Sequence, residues 1–355
     1  MEKRMFCGNS ISLLGMGMMR LPLDKDKNID YVESLKMVKF GLENGMNYID
    51  TAYMYHSGES ENFVGYAIEN GVDRSSFYLA DKMPLWSVES KEDVDKIFNN
   101  QLEKTKAGYF DYYLMHAFDD GIYEKFIKYD VYDYLKAKKA EGKIKNLGFS
   151  FHGSIELLNK LVNDYKWDFA QIQLNYQDWA GEYNSKEQYE ILTAHKLPVI
   201  VMEPVKGGSL ANLCEKSNSI FKEYNNEASI ASWALRYVAT KENVALILSG
   251  MSNMEQLTDN INTFTNFKPI SKEEQMVIDK ALNTYVENKL VSCTGCRYCL
   301  DACQSGVDIP AIFKAYNEKV KAGGSFRKMG NIDNCVECGL CMEHCPQKIE
   351  IPTVL

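Results

Sequence analysis

The sequence predicts an α/β protein: a (β/α)8 TIM barrel followed by a small, mainly helical domain dense in cysteine. Three observations carry that prediction. Between Ile11 and Thr265, short Val, Ile, Leu and aromatic runs alternate with segments of helical spacing, and eight such pairs in about 255 residues match the repeat of a barrel whose parallel strands need helical crossovers. Several of the apolar runs end in a polar or ionisable residue, which is how a buried parallel strand delivers a side chain to a barrel mouth. Eight of the ten cysteines lie between Cys293 and Cys345, outside the alternating region.

The strand signals fall at 11–17, 46–50, 77–82, 109–116, 144–150, 169–175, 198–205 and 244–249, and the helical ones at 31–44, 60–70, 90–106, 129–141, 154–164, 185–195, 227–240 and 254–264. Gly45 and Gly142 follow helical runs as stop signals, and Pro198 precedes the strand Val199-Ile-Val-Met202. An open doubly wound sheet is the rival architecture, because periodicity alone does not close a barrel. Residues 266–272 hold Pro269 and few large apolar groups, which places a boundary there. Ser271-Lys-Glu-Glu274 then reads as a capping box that opens a helix to about Lys289. The expected division is residues 1–268 for the barrel, 269–290 for a linking helix and 291–355 for the cysteine domain.

At 355 residues, with 45% hydrophobic and 25% charged residues, the chain has ample material for a core. A net charge of -9 supplies neither a basic face for nucleic acid nor a polybasic segment for an anionic membrane, so small molecules or basic proteins are the expected partners. The first residues contain no long apolar region, so neither a signal peptide nor a membrane span is expected, and the predicted location is cytoplasmic. Cysteines at this density in a reducing compartment suit metal rather than disulfides.

The tail is internally duplicated with a period of 42 residues. Cys293-Thr-Gly-Cys-Arg-Tyr-Cys-Leu-Asp-Ala-Cys303 answers Cys335-Val-Glu-Cys-Gly-Leu-Cys-Met-Glu-His-Cys345, and Val307-Asp-Ile-Pro310 answers Ile349-Glu-Ile-Pro352. Pro310 to Lys321 has helical spacing, stopped by Gly323-Gly324. Two C-x2-C-x2-C-x3-C runs, the second followed by Pro346, suit a pair of cubanes: three close thiolates bind three irons of one cluster and the fourth cysteine reaches the other. On that pattern Cys293, Cys296, Cys299 and Cys345 hold one [4Fe-4S] cluster, and Cys335, Cys338, Cys341 and Cys303 hold the second. The tail resembles a bacterial two-cluster ferredoxin, departing from it in Gln304, where proline would follow, and in the helical insertion. Structural zinc is the alternative, although zinc sites commonly space cysteines as two separated pairs. His344 reads as a surface or packing residue, and Cys7 and Cys214 as ordinary buried thiols.

In the barrel region, Asp50, Tyr55, Lys82 and His116 stand in that order at or just after three successive strand ends. In this order they resemble the catalytic tetrad of the aldo-keto reductases, and Ile49-Asp-Thr-Ala-Tyr-Met-Tyr-His-Ser-Gly-Glu-Ser-Glu-Asn-Phe-Val-Gly65 is similar to that family's signature. The likeness runs from about Leu13 to Ile261, and with the tail the whole chain resembles the family's members that carry a C-terminal ferredoxin domain. The chemistry is argued from the residues themselves. Reducing a carbonyl by hydride leaves an oxyanion that needs a proton, and a phenol is a weak acid with a pKa of about 10. An adjacent Lys82 ammonium is expected to lower the pKa of Tyr55, with Asp50 holding the lysine and His116 orienting the carbonyl oxygen. His56 is expected in solvent; Trp86 and Trp179 are expected on loops, either walling a pocket or packing.

The same resemblance implies cofactor contacts. Ser150 and Gln171 match positions that bind a nicotinamide carboxamide, and the segment Ser249-Gly-Met-Ser-Asn-Met-Glu-Gln-Leu-Thr-Asp-Asn260 is similar to the one that holds the adenosine phosphate. Its contacts would be Ser249, Gly250, Ser252, Gln256 and Asn260. Phe151 stands where asparagine is common, and Met202 where an aromatic often stacks on nicotinamide. Gly250 and Gln256 replace the Lys and Arg of many NADP-binding members, so a preference for NADP is not supported. NADH, NADPH and a flavin are therefore all alternatives for the mouth, and Lys206-Gly-Gly208 reads either as a pyrophosphate approach or as a tight turn. The expected function is an oxidoreductase acting on a small carbonyl or alcohol, with clusters that serve a one-electron carrier. Clusters pass single electrons while nicotinamide passes hydride, so direct exchange needs a mediator such as flavin. The competing reading is an electron-transfer or redox-sensing protein on a catalytically retired barrel.

Overall fold

The computed structural model describes residues 1–181, 183–286, 290–321 and 330–355. Two short strands come first, β1 (Lys3–Phe6) and β2 (Asn9–Ser12), paired as an antiparallel hairpin. Eight more follow: β3 (Leu14–Gly17), β4 (Tyr48–Asp50), β5 (Tyr78–Met83), β6 (Phe110–Phe118), β7 (Ile144–Phe151), β8 (Phe169–Gln173), β9 (Val199–Met202) and β10 (Val244–Ser249). These eight are parallel and close on themselves, β10 pairing with β3 through Ile247 opposite Leu14. The barrel is closed, and the open-sheet alternative falls. Its strands are buried on both faces, which is why they read as continuous apolar runs rather than as alternation.

The helices between them are α1 (Tyr31–Glu43), α2 (Glu59–Glu69), α3 (Lys91–Thr105), α4 (Tyr123–Lys128), α5 (Val131–Ala140), α6 (Ile155–Asp164), α7 (Ser185–Ala194), α8 (Glu215–Tyr224), α9 (Ile230–Ala239) and α10 (Met254–Thr265). Local chemistry sets their starts. Asp30, Ser90, Ser154 and Asn253 each accept an N–H from the first turn of the helix they precede.

The expected first strand, 11–17, is two elements. Leu13 donates its N–H to Glu2, and Ser12 bonds to Asn47, so the chain leaves the hairpin at Leu13 before entering the barrel. The hairpin carries Phe6 into the barrel interior, stacked on Tyr112 at 4.8 Å and edge-on to Phe169 at 5.5 Å. Arg4 holds it there by donating to the carbonyls of Ala239, Lys241 and Val244. This apolar cluster, which also includes Tyr48 and Ala80, fills the interior on the side of the hairpin and leaves polar chemistry to the C-terminal strand ends.

By compactness the chain forms two units, Met1–Pro204 with Leu235–Pro269, and Val205–Ala234 with Ile270–Leu355. The first contains the whole barrel. In the second, α8 was not expected from the sequence; its Ser217 donates to Ala281 in α11 (Lys272–Val286) at 2.9 Å, and Phe221 packs on Trp233. The capping box forms as expected, Ser271 N–H to Glu274 at 2.9 Å and Glu274 N–H to Ser271 Oγ at 3.2 Å. The expected end of that helix at Lys289 and the stop at Gly323-Gly324 lie outside the described residues. Gly207 belongs to a tight turn: a Cβ there would sit 2.5 Å from the Thr294 backbone. The glycine thus admits a peptide of the first cysteine run, which is the use found for Lys206-Gly-Gly208.

The tail comprises α12 (Tyr298–Ala302), α13 (Ile309–Lys321), α14 (Leu340–Glu343) and α15 (Ile351–Val354). Its core is Val307, Ile309, Ile312, Phe313, Ile332 and Ile351 with Cys299 and Cys341. The duplication extends to the backbone. Gly295 and Glu337, 42 residues apart, both have positive φ (67° and 55°), as do Arg297 and Gly339 (72° and 78°). At these two loop positions each half places one non-glycine residue, Arg297 or Glu337, in the left-handed region to keep the same loop. No described helix is long and apolar enough to cross a membrane.

Candidate active site and cysteine cages

Asp50 ends β4, and the chain then turns so tightly that His56, Ser57 and Gly58 all take positive φ. Two bonds hold that turn. His56 Nε2 accepts the N–H of Leu21 at 3.2 Å, and Thr51 and Ser60 share a hydroxyl bond at 2.8 Å. His56 is therefore not a solvated residue, as expected from sequence, but a partly buried acceptor, and burial lowers its pKa. The turn delivers Tyr55, 9% exposed, over the end of β5.

Lys82 on β5 has 0% exposure, and its ammonium is fully used: it donates to Asp50 Oδ1 at 2.7 Å, to the Thr51 carbonyl at 2.7 Å and to the Tyr55 hydroxyl at 3.3 Å. Three N–H groups meet three acceptors, so the buried charge is compensated. From β6, His116 sets its ring edge-on to Tyr55, centroids 6.0 Å apart, with the ring of Trp86 tilted against it at 4.9 Å. Trp86 thus walls this site. Trp179 packs elsewhere, against Tyr189 and Tyr237 with the Lys241 ammonium 3.9 Å over its ring.

The electrostatics correct one expectation. Burial raises the Tyr55 phenol well above 10, and Asp50, Glu203 and Asp81 reinforce it, while Arg20 pulls it down. The lysine does not win because its charge is matched by the carboxylate of Asp50 beside it, while the phenol is largely buried. Tyr55 therefore holds its proton at neutral pH. Burial, then Lys82, then His152 drive the His116 pKa well below 6.5, so the imidazole is neutral. A histidine depressed in this way takes up its proton in the unfolded chain first, so its contribution to stability is present above about pH 6.5 and is lost as pH falls. Unfolding by urea at pH 7.5 and 5.5 should show a smaller acid loss for His116→Gln than for the wild type.

Among the expected cofactor contacts, Ser150 and Gln171 sit opposite one another on β7 and β8. Ser150 Oγ accepts the Ala117 N–H at 2.8 Å, fixing the residue after His116. Gln171 donates to Met202 Sδ at 3.5 Å, while its Oε1 is buried with no hydrogen-bond partner among the described residues. That orphaned acceptor suits an amide N–H from a bound group. Ser249 Oγ accepts from Asn260 at 3.0 Å. Ser252 N–H bonds to Gln256 Oε1 at 2.8 Å, and Gln256 N–H to Asn253 at 2.9 Å, so the start of α10 is capped by its own side chains. Gly250 has no side chain for a physical reason: a Cβ would lie 2.9 Å from Arg20. Sequence reasoning missed Arg20, which lies across that glycine and 3.9 Å from Glu203, although both flank strand ends and act on Tyr55.

In the tail, a cavity is lined by Cys293, Cys296, Cys299 and Cys345 together with Ile309 and Phe313. Burial and then the neighbouring Cys296, Cys293 and Cys345 push the Cys299 thiol up to about 12. Cys341, raised by burial, has Cys303, Cys335 and Cys338 as its charged neighbours. The fourth cysteine of each run therefore lies with the first three of the other. Such crowding of thiols disfavours their charged forms until a cation is bound. Among the described residues, no three Cys, His, Asp or Glu side chains are set to hold a single metal ion. Cys214 bonds to Ser217 at 3.2 Å and Cys7 to the Asp168 carbonyl at 3.5 Å, as local packing.

Residues 13–283 match the Aldo/keto reductase family. The chain belongs to that family. Residues 292–350 match a 4Fe-4S dicluster domain, so this aldo/keto reductase is an oxidoreductase with an iron-sulfur domain at its C-terminal end. It is 26% identical to an uncharacterized oxidoreductase, YqkF, of Bacillus subtilis over 74% of this chain and 90% of the relative, and 26% identical to glyoxal reductase of the same organism over 58% and 70%. Solved structures with the same fold include an aldo-keto reductase from Bacillus halodurans in its holo form (24% identity, TM-score 0.62, covering 79% of this chain and 96% of that one). Another is an aldo-keto reductase from Klebsiella pneumoniae in complex with NADPH (19%, 0.64, 80% and 96%).

Proposed function

We propose that the barrel reduces a small carbonyl compound, or oxidises the corresponding alcohol, with Tyr55 as the proton donor. The observation that carries this reading is the 3.3 Å bond from a fully buried Lys82 to the phenol oxygen, with Asp50 at 2.7 Å behind the lysine. A bound nicotinamide would supply hydride; the Klebsiella pneumoniae relative is in complex with NADPH, and the unpartnered Gln171 Oε1 beside Ser150 offers an acceptor for a carboxamide.

The side chains have separable tasks. Neutral His116 donates to the substrate oxygen and holds it in the plane that Tyr55 faces. As negative charge grows on that oxygen the phenol releases its proton to it, and the ammonium of Lys82 steadies the phenolate left behind. A phenol that keeps its proton until substrate charge develops fits this order better than one ionised at rest. Trp86 helps to exclude water on the histidine side. In the tail, the two cysteine quartets would hold two [4Fe-4S] clusters. Of the eight cysteines, only Cys338 is exposed, which suits exchange with an external one-electron carrier near the second cluster.

The test is oxidation of NADH and of NADPH against a panel of aldehydes and ketones, using anaerobically purified protein whose iron, sulfide and flavin have been measured. Turnover that falls by about 10²- to 10⁴-fold in Tyr55→Phe, with unchanged folding, supports the assignment. Turnover insensitive to that substitution defeats it.

A further inference from the structure

Behind the residues that face the mouth, the strand carrying Lys82 is held by a polar cluster buried in the barrel wall. β4 pairs with β5 only as far as Asp50 opposite Ala80. Beyond that point side chains stand in for the missing strand. Asp81 Oδ1 accepts the Lys82 N–H at 2.8 Å, and Gln101 Nε2, reaching in from α3, donates to the Lys82 carbonyl at 3.0 Å. The same nitrogen donates to Asp81 Oδ1 at 3.0 Å and to Glu61 Oε1 at 2.9 Å. Gln101 Oε1 accepts the hydroxyl of Tyr113 at 2.5 Å, so the orientation of the amide is fixed by chemistry: its two N–H groups are shared among three oxygens, and its acceptor faces a phenol.

The cluster reaches the tyrosine turn as well. Glu61 Oε2 pairs with Lys104 at 3.1 Å, and that ammonium lies 3.5 Å from the carbonyl of Gly58, the last residue of the turn that carries Tyr55. Glu61, Asp81, Gln101 and Tyr113 are all completely buried. Burial raises the pKa of both carboxyls, most strongly that of Asp81, whose Oδ2 has no hydrogen-bond partner among the described residues. Two acids with one cation inside a wall are a poor way to stabilise it, since apolar residues of similar volume do that as well or better.

We propose that Gln101 is a positioning residue for the reaction. Its carboxamide clamps the peptide of Lys82 and, through Glu61 and Lys104, the turn of Tyr55, so that ammonium and phenol keep their spacing during proton transfer. The inference rests on Tyr55 being the proton donor.

The experiment compares the full-length wild type with Gln101→Met, which keeps the length and removes the donors. The measurements are kcat and KM for a carbonyl that the wild type turns over, Kd for NADPH from protein fluorescence, and the melting temperature. Misplacing Lys82 should lower kcat by about 10- to 10²-fold while KM and Kd stay within about twofold, the split of an interaction that matters only in the transition state. In a Tyr55→Phe background the same substitution should cost nothing further, because its effect passes through the phenol. Unchanged kcat in a folded Gln101→Met protein overturns the proposal, and so do losses that multiply in the double variant. If Gln101→Met does not fold, Tyr113→Phe, which removes only the bond to Oε1, must show the same split on a smaller scale; an unchanged kcat there overturns it too. Full turnover by Tyr55→Phe alone removes the proton-donor assignment itself, which is a separate result.

Discussion

Lys82→Met should lose both turnover and stability, where Tyr55→Phe loses turnover alone. The ammonium is the hub of the site, and removing it strands Asp50 in the interior: Asp50 Oδ1 loses its partner at 2.7 Å, and Asp50 Oδ2 already has none among the described residues. Breaking a buried pair from one side costs about 3–5 kcal/mol, mostly through the charge left behind. The sign with pH follows. Burial already raises the folded pKa of Asp50 even though Lys82 lowers it, so the unfolded chain gives up this proton first as pH rises above about 4. Stability from this group is therefore greatest in acid and is lost as pH climbs to the folded pKa. Without Lys82 that folded pKa moves further up and the losing window widens. Urea unfolding of wild type and variant from pH 5 to 8 should show a gap that grows with pH. A gap that shrinks with pH would mean that Asp50 is not the group left unpaired.

The contrast between these two substitutions also shows what the sequence could reveal. The residues that meet at the mouth were legible because each sits at the end of an apolar run or just past it, and a barrel gathers strand ends at one rim. The charge state of Tyr55 was not legible. A list of neighbours in sequence suggests that Lys82 makes the phenol more acidic, but only packing shows that Asp50 takes the lysine's charge and that burial holds the proton on the phenol. Gln101 was invisible for a related reason. It lies among Lys, Glu and Asn in a helix whose composition reads as solvated, and its burial comes with the distant partners it meets, Glu61, Asp81 and Tyr113. The hairpin was absorbed into the first barrel strand because Ile11 to Gly17 is mainly apolar and carries no turn signal at Leu13, and the break there is made by distant partners, Glu2 and Asn47.

Cys345→Ser should empty the cage of the first cysteine run while sparing that of the second, although Cys345 belongs to the second run. The grouping of thiols argues for this: Cys345 lines the cavity of Cys293, Cys296 and Cys299, whereas Cys341 faces Cys335, Cys338 and Cys303. The loops impose it, because both halves bend left-handed at matching positions and so aim their first three sulfurs alike, leaving the fourth to the partner half. If each quartet holds one cubane of four irons, anaerobic reconstitution of Cys345→Ser should retain about half of the wild-type iron and sulfide. Adding Cys296→Ser should remove nothing more, since both residues serve one cage. Adding Cys338→Ser should remove most of the remainder. The reverse pattern, in which Cys338→Ser is silent on top of Cys345→Ser and Cys296→Ser is not, would mean that each run fills its own cluster and that the exchange of fourth cysteines is wrong. Serine keeps the volume of the thiol while giving a poor ligand for iron, and Cys345 is only half-buried, so the apolar core around Phe313 and Ile351 is not cut by the change. The iron count therefore reports ligation rather than collapse of the domain.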